Sequence, residues 1–160
     1  MTSYFGKYRG TVVENTDPKK LGRVKVCVPE VLDEVTVWAM PCMPFAGKGV
    51  GLFTLPPVGA GVWVEFEAGN LDRPIWSGCF WREGEVPAEP AGEPLKVIQT
   101  GQVTVTIDDR SGSAGIVIET RSGARIAITP DGIEIANGKG AVIELAQNKV
   151  SINGNALEVT

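Results

Sequence analysis

The sequence predicts an all-β chain in two parts: a small closed barrel, then a long run of short strands. Three observations predict this. Over residues 1–82 apolar and polar positions alternate between glycine and proline punctuation, and the 3.6-residue period of an amphipathic helix is nowhere seen. Glycine supplies 20 of 160 residues, well above the usual ~7%, which requires many turns and close backbone approaches. From residue 96 onward, Ile118, Ile126, Ile135, Ile143 and Ile152 recur every 8 or 9 residues, the spacing of one brief strand plus one turn.

In the first part the strands are expected at residues 7–13, 21–28, 35–40, 61–67 and 74–80. Val62, Val64 and Phe66 point to one face of their strand while Trp63, Glu65 and Glu67 point to the other. Val24, Val26 and Val28 repeat the pattern opposite Arg23, Lys25 and Cys27. A five-stranded sheet covered on one face removes its exposed edges by closing, as OB-type barrels do. Residues 83–96 carry Pro87, Pro90 and Pro94 together with Glu83, Glu85, Glu89 and Glu93, and read as an extended, fairly stiff linker.

The second part, residues 97–160, places strands at 102–107, 115–120, 124–129, 132–136, 141–145, 149–153 and 156–159, with turns at 121–123, 130–131, 137–140, 146–148 and 154–155. Every aromatic residue lies at or before Trp81, so this part has only Val, Ile, Leu and Ala to fill an interior. Alone it buries too little surface to offset backbone ordering. Three copies wound about one axis solve the problem, with Ile and Val inward and Glu, Arg, Lys and Thr toward water. A free-standing meander is the alternative.

Composition narrows the function. The chain holds no histidine, which removes Ser-His and Cys-His nucleophile pairs and imidazole metal sites. A formal net charge of -4 without a basic run leaves little to bind a phosphate backbone. No segment has signal-peptide character or bilayer-spanning length, so a product made in the cytoplasm is expected. Cys27, Cys42 and Cys79 are odd in number and widely spaced, and read as small buried hydrophobes, zinc bound through three thiolates and a carboxylate being the rival.

The remaining chemical candidates weaken in turn. The glycine-rich stretch 45–59 lacks the G-x-x-x-x-G-K-[ST] spacing and a following helix, so it is expected to be a loop packed against the barrel, with Pro56-Pro57 stiffening its end. The pairs Glu65/Glu67 and Asp108/Asp109 lack a cleft-forming context for glycoside hydrolysis. Asp108 and Asp109 are expected to satisfy local turn donors. Trp38, Trp63, Trp76 and Trp81 could form a stacking platform for single strands, but Trp63 and Trp81 adjoin Glu65 and Glu83. No catalytic, cofactor-binding or metal residue emerges, and no cofactor is expected.

Gly22-Arg23-Val24-Lys25-Val26, Gly47-Lys48-Gly49, Leu55-Pro56-Pro57-Val58-Gly59, Val62 through Phe66, Gly69, Asp72-Arg73-Pro74 and Gly78 together resemble the OB-fold domain of phage baseplate assembly protein V, related to the VgrG spikes of type VI secretion. The repeat region is similar to the needle of that family in period and position. The resemblance implies a homotrimer whose OB-fold domains (1–82) sit beneath a tail hub, and whose C-terminal part (97–160) forms an intertwined triple-stranded β-helix. It implies a non-enzymatic spike of a phage tail or contractile injection system that contacts the target membrane transiently and binds no nucleic acid. An upstream hub domain and an inserted lysozyme domain are not expected. Without histidine a histidine-ligated metal tip cannot form, so the needle is expected to end bluntly near Thr160 beneath a separate PAAR-like tip protein. The alternatives are an OB-fold carbohydrate or nucleic-acid binding module with a β-rich tail used only for oligomerisation, and a small hydrolase.

Overall fold

A computed structural model describes residues 3–88, 92, 94–154 and 156–159. The expectations placed on Glu89, Pro90, Glu93, Asn155 and Thr160 lie outside the described residues. The chain divides into two compact units, Met1–Glu85 and Val86–Thr160.

The first unit contains β1 (Tyr8–Glu14), β2 (Val24–Cys27), a four-residue helix α1 (Pro29–Leu32), β3 (Thr36–Pro41), β4 (Ala46–Gly47), β5 (Val50–Gly51), β6 (Gly61–Phe66), a 3-10 turn (Glu67–Gly69) and β7 (Pro74–Phe80). Five of these strands close into a barrel in the order β1-β2-β3-β7-β6, antiparallel except for β3 beside β7. Alternation decides the interior. Val12, Val24, Val26, Val28, Val62 and Val64 are wholly buried, and Ala39, Phe66 and Trp76 complete the core. Each such valine contributes roughly 1.5 kcal/mol or more through apolar burial. The pairing of β6 with β7 slips between Val62 and Val64, where Gly78 adopts a φ of +130°. A bulge of this kind increases the local twist that closure needs.

Three features depart from the sequence reading. Pro29 begins one helical turn, too short to leave a period. The stretch 45–59 is not simply packed down: β4 and β5 form a small hairpin, and Phe45, Val50, Leu52 and Phe53 around it stay exposed, while Met43 and Leu55 reach the core and Pro56 is buried. The cysteines are not buried hydrophobes. Cys27 has the outward parity of β2 and is half-buried, Cys42 lies just past β3, and Cys79 follows the Gly78 bulge, both exposed.

The second unit is an eight-stranded antiparallel meander in simple chain order: β8 (Leu95–Gln99), β9 (Val103–Asp108), β10 (Gly115–Thr120), β11 (Arg125–Thr129), β12 (Gly132–Ala136), β13 (Val142–Ala146), β14 (Lys149–Ile152) and β15 (Leu157–Val159). Strand β8 was not expected; it begins within the Pro/Glu-rich stretch, pairs with β9, and is preceded by Pro94, whose carbonyl accepts the Asp109 amide. Among the described residues of this unit only Ala127 and Ser151 are buried.

Candidate assembly interface

The meander's register sorts its side chains into two faces. Opposite one another, strand by strand, stand Ile107, Ile116, Ile128, Ile133, Leu145 and Val150. A second row joins Ile98, Val105, Ile118, Ile126, Ile135, Ile143, Ile152 and Leu157. Because the side-chain period is 2 and every hairpin keeps register, all of these residues share one face. The five isoleucines that carried the repeat in the sequence all lie in the second row. In the single chain the face has no cover: from Ile107 to Val150 its large side chains remain 37–50% exposed. An apolar face of this extent marks an assembly surface.

The other face is polar. It carries Thr106, Val117, Ala127, Glu134, Glu144 and Ser151 in one row, with Thr104, Glu119 and Arg125 beside them. Arg125 pairs with Glu134, and the Ser151 hydroxyl donates to Glu144 at 3.2 Å.

Hydrogen-bonding side chains close the turns along one edge of the sheet. Thr100 Oγ1 accepts the amide of Val103, Thr120 Oγ1 that of Ala124, and Asn137 Oδ1 those of Lys139 and Ala141. The sequence reading found the turns at 121–123 and 137–140 but not the one that follows Thr100, and it missed the side chains that close all three; Thr or Asn as the last residue before the turn is the signal that was available. Close backbone approach is also built in, since a Cβ on Gly138 would lie 2.5 Å from the carbonyl carbon of Gly123.

The other candidates are dispersed. Glu65 pairs with Lys7 and is held below the usual carboxylate range by the Ser77 hydroxyl and by Lys7, whereas Glu67 lies in the 3-10 turn and pairs with Arg73. Asp108 accepts from the Arg110 guanidinium and amide, which lower it to about 2, and Asp109 pairs with Lys96. Asp108 thus serves its own turn, whereas Asp109 reaches across to β8 through Lys96. The tryptophans do not line up: Arg23 covers Trp38, Arg9 covers Trp63, and Trp76 is buried with its indole N–H toward the Gly22 carbonyl; Trp81 stands exposed. Among the described residues no group of three or more His, Cys, Asp or Glu could hold a metal ion.

Comparison with known proteins agrees with this division. Residues 8–81 match the family described as type VI secretion system/phage-baseplate injector OB domain, and residues 96–158 match the phage baseplate V C-terminal trimerisation domain. The type VI secretion system spike protein VgrG4b of Pseudomonas aeruginosa is 31% identical over 98 residues, covering 56% of this chain and 12% of the relative. The spike protein VgrG5 of the same organism is 29% identical over 126 residues, covering 70% of this chain and 16% of the relative. The chain therefore spans less than a fifth of the length of the curated relatives it matches. With an OB-type barrel followed by a matching trimerisation segment, the chain belongs to the phage baseplate V and VgrG-like spike proteins of contractile injection systems, as a structural component.

Proposed function

We propose that three copies of this chain assemble into the central spike of a phage tail or contractile injection system, and that the spike works without covalent chemistry. The observation that carries this reading is the continuous apolar face from Ile98 to Leu157, half-exposed in one chain. Covering the remaining surface of its side chains is worth on the order of 1 kcal/mol each, and three copies of one face can meet about a closed threefold axis. The intertwined triple-stranded β-helix is the form we assign to that assembly. Eight strands at a spacing of about 4.8 Å make this sheet about 34 Å long in the hydrogen-bonding direction, and the laddered strands resist sliding because any slip breaks a row of backbone bonds together.

Residues 1–82 form the OB-fold domain that meets a hub protein, residues 83–96 link it to the needle, and residues 97–160 form the needle. A separate PAAR-like protein sharpens its C-terminal end. Made in the cytoplasm and built into a baseplate, the spike concentrates the force of contraction on a small area of target envelope. The alternative of a nucleic-acid-binding module loses support because guanidinium groups already cover Trp38 and Trp63. Native mass spectrometry of the purified chain tests the reading: a particle of three times 17.0 kDa is expected, and a monomer at micromolar concentration would overturn it.

A further inference from the structure

On the barrel, Arg9 of β1 stands directly across from Trp63 of β6. Its guanidinium lies 5.1 Å from the Trp63 ring centroid and 4.7 Å from that of Phe80. Phe80 reaches this position because residue 61 is glycine: a Cβ there would come within 2.6 Å of the Phe80 ring. The arginine is thus held on β1 against a pair of rings whose centroids are themselves 5.0 Å apart. A guanidinium held by cation–π contact keeps N–H donors for a ligand and has less rotamer freedom to lose on binding.

Arg9 is also the one arginine of its unit without a carboxylate partner among the described residues; Arg23, Arg73 and Arg82 each have one. It borders an open groove of about 440 Å³ that is lined as well by Thr11, Pro29, Glu30, Phe80 and Arg82. Across the groove Arg82 is engaged, donating to the Gly59 carbonyl, the Thr11 hydroxyl and Glu85. It adds positive potential without offering a free fork. Arg9, Gly10 and Thr11 are each paired with β6, and Thr11 with β2 as well, so the groove presents chiefly side chains.

We propose that this groove is a docking site for an acidic peptide segment of a partner protein, one carboxylate of which takes the free edge of Arg9 in a bidentate pair. Charge complementarity selects this occupant. Arg9 favours one carboxylate, while Glu30 at the rim, together with Glu83 and Glu85 nearby in the chain, weakens any densely charged ligand, a continuous polyphosphate more than a peptide whose carboxylates are spaced along its backbone. The apolar floor of Phe80 and Pro29 suits the backbone of an extended segment. The site lies within one barrel and does not depend on trimer formation.

Isothermal titration of the purified full chain with a terminally blocked peptide, Gly-Glu-Pro-Glu-Glu-Pro-Gly, tests the proposal. We expect one peptide per chain, affinity falling with added salt, and no saturation with the same peptide carrying Gln for Glu. Arg9→Gln should weaken binding roughly fivefold to tenfold, and Arg9→Lys should fail to restore it, because an ammonium lacks the planar fork. Glu30→Gln, a surface change on the rim, should tighten binding about twofold by removing a like charge. Absence of saturable binding at millimolar peptide, equal affinity of the Arg9→Gln and Glu30→Gln variants and the wild type, or tighter binding of oligothymidylate than of the peptide would each overturn it. Native mass is read separately, so this result and the trimer stand or fall independently.

Discussion

Asp17 and Arg23 form the most enclosed ion pair among the described residues, with side chains 3% and 13% exposed and Nη2 2.6 Å from Oδ1. The same carboxylate accepts the amides of Lys19, Leu21 and Arg23, so it organises the whole connection from β1 to β2. Arg23 in turn lies over Trp38 of β3, 5.2 Å from its ring centroid. One acidic side chain therefore fixes a loop, an arginine and the outer face of a neighbouring strand.

The Arg23 guanidinium holds the Asp17 carboxyl well below the usual carboxylate range. Because the folded state binds this proton less readily than the unfolded chain, the interaction stabilises fully above the unfolded-state value near 4 and is lost as pH falls below it. Asp17→Asn should lower Tm at pH 7, with a gap to wild type that narrows steadily below about pH 4. Thermal melts from pH 7 to pH 2 check this, and a gap that is independent of pH would assign the loss to loop geometry instead of charge.

A second expectation concerns Ile126 and Ile143, which are 45% and 38% exposed in one chain. On a wet sheet face, replacing either with Asn should change stability little. In the proposed trimer the same change places an amide in the apolar interior at roughly 1 to 3 kcal/mol per buried site. Ile126→Asn and Ile143→Asn should therefore lower the melting temperature and favour dissociation in native mass spectra, while Thr104→Ser on the opposite face leaves both unchanged. Wild-type behaviour in both isoleucine variants would remove the inward assignment.

The barrel strands and meander strands were legible in the sequence because period-2 patterns and the spacing of Ile118, Ile126, Ile135 and Ile143 are local properties. What escaped depends on long-range contact or on features shorter than a period. The stack of Arg9 on Trp63 and Phe80 joins residues more than 50 positions apart, and its cause, the missing Cβ of Gly61, has no signature of its own. Cys79 was expected to be buried because unpaired cysteines commonly fill cores, a compositional signal that says nothing about which way a side chain faces; it stands exposed beside the Gly78 bulge. The β4–β5 hairpin is two residues per strand, too brief for alternation to register. Strand β8 was hidden because proline and glutamate up to Pro94 masked the short run from Leu95 to Gln99.

Gly138 and Gly140 sit in one turn with φ of +70° and +103°, so an added Cβ strains the backbone at both. They differ in space: a Cβ on Gly138 meets the backbone of Gly123 and Ser122 within 2.8 Å, whereas one on Gly140 meets nothing within 4 Å. Gly138→Ala should therefore cost about 1 to 3 kcal/mol more than Gly140→Ala, since the neighbouring turn must move as well. Urea titration of the two variants measures the difference, and equal losses would show that the turns do not touch in solution.

Asn137 separates the contribution of a turn-closing side chain from that of its charge. Its Oδ1 accepts two amides, from Lys139 at 2.8 Å and Ala141 at 3.0 Å, and Asp offers the same acceptor. Asn137→Ala should destabilise the chain by about 1 kcal/mol, in the range of one net hydrogen bond. Asn137→Asp should recover most of that at pH 7, because a carboxylate accepts the same amides. The recovery should shrink as the aspartate protonates below about pH 4. Matched urea melts of the two variants at pH 7 and pH 3 read both effects, and equal loss in the two at pH 7 would mean that the turn closes through its backbone alone.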